Sequence, residues 1–335
     1  MGPKTNTLTD TFGRAHSYLR ISLTERCNLR CTYCMPAAGV PLSPKAHLMT
    51  ADEVYAIAKT FVDHGVTKIR LTGGEPLVRK DFREILQKLA SLPVRMGITT
   101  NGITVDRFIA DFKKNNLKDI NVSLDSLDVQ KFKDITRRDY FERVYNNILL
   151  LEKEGFNVKV NVVLIKDFND SEIVDFIGLT KDLNISVRFI EFMPFDGNKW
   201  NVKKMVSYAE IMKLVNTAYT SEKLLRLQDA PNDTTKNYSI KGFKGSFGII
   251  SSVSNPFCDS CNRLRLTANG CLKNCLFSSS ESNLLGLFRE GKSIIPSIAK
   301  AVKAKQKIRG EMDTLEKLKE SNLHSKNRSM ITIGG

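Results

Sequence analysis

The sequence predicts an α/β protein, with an open partial barrel of six parallel strands followed by a C-terminal extension. Strand-like segments recur at intervals of about 20–40 residues up to residue 192, and helical segments lie between them. This alternation is typical of a parallel βα sheet. A closed eight-stranded barrel needs two more units, and the pattern ends at Met193-Pro194. The 335 residues, 41% of them hydrophobic, suffice for such a core and an extension.

The individual elements follow from local patterns. Alternating or continuously apolar segments predict strands over residues 18–23, 68–72, 94–99, 120–124, 158–165 and 187–192. Helical periodicity predicts helices over residues 51–64, 82–91, 104–114, 140–154 and 170–182. The first helix begins at a capping box formed by Thr50 and Glu53. We predict an N-terminal arm over residues 1–17, an incomplete (β/α)6 TIM-like barrel over 18–193, and an extension over 194–335.

The extension has no regular βα repeat. We predict a helix over residues 207–217, a polar loop over 228–237 and one or two short strands within 238–252. Asn269-Gly270 indicates a turn between two further strands. Residues 281–308 have a helical pattern that we expect to break near Gly291 and Pro296.

The charge balance favours an anionic small molecule as ligand. Lysine and arginine outnumber the acidic residues by 51 to 36, a net charge of +15. Much of this excess is expected on solvated helix faces. It is spread along the chain, without the basic block or aromatic-interleaved stripe of a nucleic-acid groove. We therefore expect a phosphate-bearing small molecule and no nucleic-acid partner.

The sequence does not predict a membrane protein or a secreted one. No stretch approaches the apolar length that a membrane-spanning helix needs. The first 18 residues are polar and lack an apolar signal-peptide core. They also lack the length and arginine content of a clear mitochondrial presequence.

The first cysteine group is the centre of the predicted chemistry. Cys27, Cys31 and Cys34 follow the first strand directly, and active sites of α/β barrels lie at that end of the strands. Three thiolates on a [4Fe–4S] cluster leave one iron without a protein ligand, where a substrate or cofactor can bind. A zinc site completed by His16 or His47 is the alternative.

The second cysteine group lies in the extension. Cys258 and Cys261 are followed by Cys271 and Cys275, and such clustering more than 200 residues from the first group predicts two metal sites rather than disulfides. A four-cysteine zinc ribbon fits this spacing as well as a three-cysteine iron–sulfur site does. Arg263 and Arg265 share one strand face, and guanidinium groups suit phosphate or a purine edge. They favour a substrate-binding cluster.

The two motifs together carry a family resemblance. The CxxxCxxC pattern, with Tyr33 before the last cysteine, and Gly73-Gly74-Glu75-Pro76 resemble the radical S-adenosylmethionine (SAM) superfamily. The CxxC pair at 258/261, separated from Cys275 by thirteen intervening residues, and the final Gly-Gly are similar to the GTP 3′,8-cyclase (MoaA type) family. Residues 12–20, 193–200 and 257–263 most resemble its eukaryotic branch, the A part of molybdenum cofactor synthesis protein 1.

The resemblance implies roles for particular residues. The ligands of two [4Fe–4S] clusters would be Cys27, Cys31 and Cys34 for the first and Cys258, Cys261 and Cys275 for the second. The positions that match SAM contacts are Tyr33, Gly74, Ser123 and Met193. The positions that match the GTP site are Arg20, Arg70, Thr99, Lys159, Arg188, Arg263 and Arg265. Gly334 and Gly335 would reach into the active-site cavity, Arg263 and Arg265 would act in catalysis with the first three cysteines, and Cys271 has no assigned role.

The resemblance also implies a reaction. A 5′-deoxyadenosyl radical from SAM would take the 3′ hydrogen of GTP, and C3′ would then join C8 of guanine. The expected partners are an electron donor and a MoaC-type cyclic pyranopterin monophosphate synthase, and a homodimer is an open alternative. A eukaryotic form would be expected in the mitochondrial matrix, a bacterial one in the cytoplasm. The alternatives are a radical SAM enzyme acting on another nucleotide or a peptide, and a basic nucleic-acid-binding module with two zinc sites.

Overall fold

The computed structural model describes residues 8–36, 38–310, 312–320, 322–323 and 327–334. The first half alternates as predicted: β1 (Tyr18–Ser22), α1 (Ala51–Asp63), β2 (Lys68–Thr72), α2 (Phe82–Ala90), β3 (Arg95–Thr100), α3 (Ile109–Lys114), β4 (Asp119–Ser123), α4 (Val129–Thr136), α5 (Phe141–Lys153), β5 (Asn157–Leu164), α6 (Ile173–Leu179) and β6 (Ser186–Glu191). The capping box at α1 is confirmed, because Glu53 N donates to Thr50 Oγ1 and Thr50 N donates to Glu53 Oε2.

The extension adds shorter elements: α7 (Tyr208–Ala218), β7 (Leu224–Arg226), β8 (Lys236–Ile240), β9 (Ser246–Ile250), β10 (Arg263–Leu266), β11 (Cys271–Lys273), β12 (Ser282–Asn283), α8 (Leu284–Arg289), α9 (Ile295–Lys303), α10 (Leu315–Lys319) and α11 (Met330–Ile333). The predicted break near Gly291 is confirmed. The interruption also extends to the neighbourhood of Pro296 as predicted, because α9 begins at Ile295 and this proline lies in its first turn, where its missing N–H is not needed.

All the strands join one open sheet, in the order β12-β11-β10-β1-β2-β3-β4-β5-β6-β9-β8-β7. The six predicted strands β1–β6 are parallel neighbours, which confirms the fold class. The extension contributes one parallel strand at each side, since β10 pairs with β1 and β9 pairs with β6. The sheet therefore continues across residue 193, and a domain boundary there stays a prediction.

The two faces of the sheet differ in polarity because side chains alternate along each strand. One face carries apolar residues that pack under the helices, such as Leu19, Ile69 and Val160, each fully buried. The opposite, inner face carries polar and charged residues at the intervening positions, among them Arg20, Arg70 and Lys159. This inner face is therefore built to line a wet or ligand-filled cavity. No helix among the described residues has the length and apolar character to cross a membrane.

Candidate active site

The first cysteine loop leaves the carboxyl end of β1. Cys27, Cys31 and Cys34 are partly buried free thiols that line one cleft. Burial, with a smaller contribution from the Glu75 carboxylate, raises the pKa of the Cys27 thiol to about 11. Burial likewise raises the pKa of the Cys31 and Cys34 thiols. Thiolates in such a setting need a cationic partner, which a metal centre supplies.

Two glycines bring β2 against this loop. Gly74 N donates to Thr24 O over 2.7 Å, and Glu75 N donates to Arg26 O over 2.8 Å. A Cβ atom on Gly74 would overlap Arg26 O. The backbone at this strand end therefore makes its tightest contact with the cysteine loop.

A cleft partly open to solvent lies beside the cysteines. Its walls include all four positions predicted to contact SAM, together with Thr99. Those four are Tyr33, Gly74, Ser123 and Met193. They come from the cysteine loop and from the carboxyl ends of β2, β4 and β6, so the open barrel edge gathers them as the sequence predicted.

Among the polar residues of this cleft that were not predicted, Asn101 and Asp125 make the contacts that bear on the cysteine loop. Asn101 follows β3, and its Nδ2 lies 3.8 Å from Cys27 Sγ and 2.6 Å from Asn28 Oδ1. Asp125 follows β4 and accepts hydrogen bonds from the Tyr33 hydroxyl over 2.7 Å and from Val163 N over 2.8 Å. Burial raises the pKa of Asp125 to about 6. Both residues directly follow strands, which is the signal that could have found them.

Three of the late cysteines, Cys258, Cys261 and Cys275, lie at the opposite end of the same strands. Cys258 and Cys261 precede β10, which runs parallel to β1, whereas Cys27 follows β1. Cys275 follows β11, which runs antiparallel to β10 and so returns to the same end. The two groups are therefore separated by about the length of a strand of five residues.

Electrostatic coupling joins three of the four late cysteines. The charges of Cys275 and Cys261 add to burial in raising the pKa of the Cys258 thiol. Burial also acts on Cys261, but the Lys305 and Arg263 cations outweigh it and lower the pKa of that thiol to about 6. The Cys271 thiol lies instead against Glu281 and Thr267. The grouping of 258, 261 and 275 without 271 thus agrees with the predicted ligand set.

Two buried cations, Arg14 and Lys305, donate hydrogen bonds to backbone carbonyl oxygens in and around this second cysteine loop. Arg14 donates to the carbonyl oxygens of Cys258, Gln306 and Lys307 over 2.8–2.9 Å. Lys305 Nζ donates to Arg263 O over 2.8 Å and to Asn274 O over 2.6 Å. Sequence reasoning had given neither Arg14 nor Lys305 a role.

The positions of His16 and His47 do not support the alternative zinc site at the first cysteine group. His16 is buried with Nε2 3.1 Å from Asp10 Oδ2, and His47 lies exposed in a short 3₁₀ turn. Within the described residues, no three Cys, His, Asp or Glu side chains converge as ligands of one metal ion. A cubane cluster does not require such convergence, because each thiolate binds a different iron.

Six cations occupy the inner face between the two cysteine groups. Strand register aligns Arg265, Arg20 and Arg70 across β10, β1 and β2. On the same face, Lys159 and Arg188 lie farther along the sheet on β5 and β6, and Arg263 lies opposite Tyr18. The structure thus gathers all the basic residues predicted for the substrate site.

These cations lack carboxylate partners. None of the six forms an ion pair within the described parts of the chain, whereas Arg95, on β3, binds Asp119 through two nitrogens over 2.6 and 2.9 Å. Arg20 Nε, Arg188 Nε and Arg263 Nη2 are buried without a hydrogen-bond partner, as is Thr99 Oγ1.

Burial and repulsion between these cations lower the pKa of Arg20 and of Lys159. Burial, assisted by the Arg70 and Arg263 cations, lowers the pKa of Arg20 to about 10 although Tyr18 opposes it. Burial and the neighbouring Arg188 lower the pKa of Lys159 to about 8. A bound polyanion would reverse both effects, so the natural complement of this face is strongly negative.

Residues 327–334 pack against the first cysteine loop and form part of the cleft wall. Ser329 Oγ donates to Cys34 O over 2.7 Å, and Arg328 donates to Glu281 Oε2 over 2.5 Å. Met330 belongs to the cleft wall, and the carbonyl of Gly334 accepts a hydrogen bond from Arg265. The structure thus places Gly334 beside Arg265 and against Ser22 and Thr72 at the carboxyl ends of β1 and β2, while Gly335 lies outside the described residues.

Comparisons with known proteins agree with this geometry. The radical SAM superfamily model matches residues 21–180, and the Molybdenum Cofactor Synthesis C model matches residues 185–311. The chain is 49% identical over 339 residues to GTP 3′,8-cyclase, mitochondrial, of Arabidopsis thaliana, covering 99% of this chain and 85% of that protein. It is 40% identical over 334 residues to GTP 3′,8-cyclase of Listeria monocytogenes, covering 98% and 99%.

The chain belongs to the GTP 3′,8-cyclase family. It is also 47% identical to molybdenum cofactor biosynthesis protein 1 of Drosophila melanogaster, over 91% of this chain and 54% of that protein. The chain thus spans about half the length of several relatives that it matches. Among solved structures, Streptococcus suis SuiB aligns with a TM-score of 0.59 at 16% identity, over 83% of this chain and 67% of that one, which shows a shared fold.

Membership in the radical SAM superfamily implies a [4Fe–4S] cluster and SAM. The residues of this cyclase-family chain fit both the [4Fe–4S] cluster and SAM. Three free thiols share one cleft with the buried, unpartnered Thr99 Oγ1 and with the Tyr33–Asp125 pair. A single iron–sulfur group can use all three thiolates, and the polar wall can hold a ligand on its open iron.

The contact between Gly74 and Arg26 gives a direct test of this cleft. Gly74→Ala should displace the cysteine loop and weaken SAM binding about 100-fold or more, because its Cβ overlaps backbone that cannot rotate away. Calorimetric titration of the anaerobically reconstituted protein with SAM measures this. The matched control is Gly178→Ala in α6, where an added Cβ meets nothing within 4 Å. Equal SAM affinity in the two variants would contradict the packing described.

Proposed function

We propose that this chain cyclises GTP to 3′,8-cyclo-7,8-dihydroguanosine 5′-triphosphate, the first step of molybdenum cofactor biosynthesis. One observation carries the proposal: six cations that form no ion pair with a carboxylate of the described residues share the inner face between two three-cysteine groups. A nucleoside triphosphate supplies the missing negative charge, and the family relatives are named for this substrate.

The first site would bind the cofactor that starts the reaction. Cys27, Cys31 and Cys34 would hold a [4Fe–4S] cluster, which when bound supplies the electron that cleaves SAM. The lining of the adjacent cleft would orient SAM through Tyr33, Gly74, Ser123 and Met193. Asp125 fixes the Tyr33 hydroxyl, so it would support that orientation indirectly.

The second site would bind the guanine end of GTP. Cys258, Cys261 and Cys275 would hold a second [4Fe–4S] cluster, with an open iron toward the base. The Arg263 guanidinium lies 4.9 Å over the Phe257 ring, which orients it beside the cysteines. The low pKa of Cys261, caused by the neighbouring Lys305 and Arg263 cations against the effect of burial, supports a thiolate ligand there.

The cations between the two sites would bind the triphosphate. Arg20, Arg70, Lys159 and Arg188 come from four strands, so their charges surround a substrate instead of forming one flat patch. Thr99 would accept or donate the remaining hydrogen bond. Arg265 reaches both the row of cations and the Gly334 carbonyl, so it would link substrate to the Gly334-Gly335 segment.

The wider context follows from the same assignment. The reaction requires an electron donor, and its product would pass to a cyclic pyranopterin monophosphate synthase of the MoaC type. The Arabidopsis thaliana relative carries a mitochondrial name, and we propose the mitochondrial matrix for a eukaryotic form of this chain. A homodimer stays a prediction.

Product formation tests the proposed reaction. Anaerobic incubation with GTP, SAM and dithionite should yield the cyclised nucleotide and 5′-deoxyadenosine in equal amounts, measured by mass spectrometry. Iron analysis of the same sample should give about eight irons per chain. 5′-Deoxyadenosine without cyclised nucleotide, in fully loaded protein, would remove the GTP assignment and favour another substrate for the same radical chemistry.

Arg188 tests the triphosphate site separately from the chemistry. Arg188→Met should raise KM for GTP about 10–100-fold, since one charge-assisted hydrogen-bonding group is worth about 1.5–3 kcal/mol. The rate at saturating GTP should change less. Steady-state product formation measures both, with Lys181→Met, an exposed cation outside the barrel, as the control. A KM within twofold of the parent value would show that Arg188 does not touch the substrate.

A further inference from the structure

Tyr18 lies among the cations of the proposed GTP site but has no assigned role. It is the first residue of β1 and alternates onto the inner face with Arg20. In register it lies opposite Lys68 on β2 and Arg263 on β10. The Lys68 ammonium lies 4.8 Å over the Tyr18 ring, so the ring itself is held by a cation–π contact.

The hydroxyl of Tyr18 has one defined partner. Arg70 Nε donates a hydrogen bond to it over 2.7 Å. A second bond runs from Arg70 Nη1 to Ile98 O, also over 2.7 Å. The third nitrogen, Nη2, forms no hydrogen bond to a described residue. Two of the three guanidinium nitrogens are thus fixed, and one remains to bind a ligand.

Gly97 on the neighbouring strand β3 also restricts the position of the Arg70 guanidinium. A Cβ atom at Gly97 would lie 2.9 Å from Arg70 Nη2, so only glycine lets the guanidinium cross β3 at this level. Arg70 itself is buried, with 3% of its surface exposed. The orientation of the guanidinium is therefore set by its close contact with Gly97 and by its hydrogen bonds to Ile98 O and the Tyr18 hydroxyl.

We propose that Tyr18 is a positioning residue that orients Arg70 toward the phosphates of the substrate. The inference rests on the proposed function and names a residue for the same site. Removing the hydroxyl would free Arg70 Nε to rotate away, although the Ile98 contact and the burial of the side chain would remain. The substrate would then meet a less ordered guanidinium, and its affinity would fall.

The surroundings of Tyr18 give this role a pH signature. Burial acts to raise the pKa of the phenol, but the Arg70, Arg20 and Lys68 cations outweigh it and lower that pKa to about 7. The charged groups that bear on the phenol from the neighbouring strands are Arg20 (β1), Lys68 and Arg70 (β2), Arg188 (β6), and Arg263 and Arg265 (β10).

The sign of the pH effect follows from competition for these cations. Below about pH 7 the phenol is neutral, orients Arg70 and does not oppose an anion. Above that value the phenolate would itself pair with Arg70. A bound triphosphate would raise the pKa again, so binding would take up a proton and weaken with rising pH.

The test compares parent protein and Tyr18→Phe, which keeps the ring over Lys68. GTP is titrated calorimetrically into anaerobically cluster-loaded protein without reductant, at pH 6.5 and pH 8.5. The titration of GTP itself cancels in the ratio of the two Kd values. We expect Tyr18→Phe to bind about fivefold more weakly at pH 6.5, the effect of one lost hydrogen bond. At pH 8.5 the ratio should fall to one or below.

Two controls separate positioning from general damage. Tyr140→Phe removes an exposed hydroxyl of a residue that does not line the cleft, and it should leave the ratio at one at both pH values. In an Arg70→Lys background, Tyr18→Phe should have no further effect at pH 6.5, because Tyr18 acts through Arg70. Unchanged iron content and circular dichroism establish that each variant is folded.

The outcomes are distinct from those that test the reaction. A Kd ratio that stays constant between the two pH values, or an undiminished effect in the Arg70→Lys background, overturns the role of Tyr18. Titration with inorganic triphosphate is run in parallel. One result would be that the Kd ratio of Tyr18→Phe to parent for inorganic triphosphate shows the expected fall between pH 6.5 and pH 8.5 while the parent does not bind GTP. In that case Tyr18 positions Arg70 as inferred, and only the substrate assignment fails.

Discussion

The structure depends on a row of positive charge that the protein does not neutralise itself. Arg20, Arg70 and Arg265 are cross-strand neighbours, and Lys159 and Arg188 extend the charge around the inner face. Holding such groups in a protein interior costs several kcal/mol each unless something compensates. Within the described chain the compensation includes hydrogen bonds such as those from Arg70 to Tyr18 and Ile98, and the more distant Asp119 carboxylate near Lys159. A polyanionic ligand completes the balance.

Topology explains why this charge lies between two cysteine groups. The extension returns to the sheet, and β10 pairs in parallel with β1. One cysteine group precedes β10 and the other follows β1, so the two groups lie at opposite ends of neighbouring strands. Segment 327–334 then covers the upper end, where Ser329 binds the first cysteine loop and Gly334 meets Arg265.

Much of this arrangement follows from sequence because it depends on local patterns. Alternating strands, the Thr50–Glu53 capping box and the cysteine spacing are all local, and the six strands and the cleft residues are found where they were expected. The family resemblance added the substrate cations, and the strand register brings them together. Arg263 and Arg265 could be placed on one face from their spacing alone.

Features that depend on tertiary contact could not be predicted in this way. That β9 and β10 continue the parallel sheet depends on long connections without a βα pattern. The short helix α4 lacks a glycine stop, and no prediction covered it. The partners of Asp125, Arg14 and Tyr18 are residues far away in the chain. A pattern of residue types carries no information about such pairs, so their roles appear only in the folded structure.

The central claim is that the inner cations exist to bind a triphosphate. The most direct measurement compares the affinities of GTP and guanosine for anaerobically reconstituted protein, by calorimetry at constant salt. The account predicts that GTP binds at least about 100-fold more tightly, since several charge-assisted hydrogen bonds to phosphate are lost in guanosine. Equal affinities for the two ligands would contradict it.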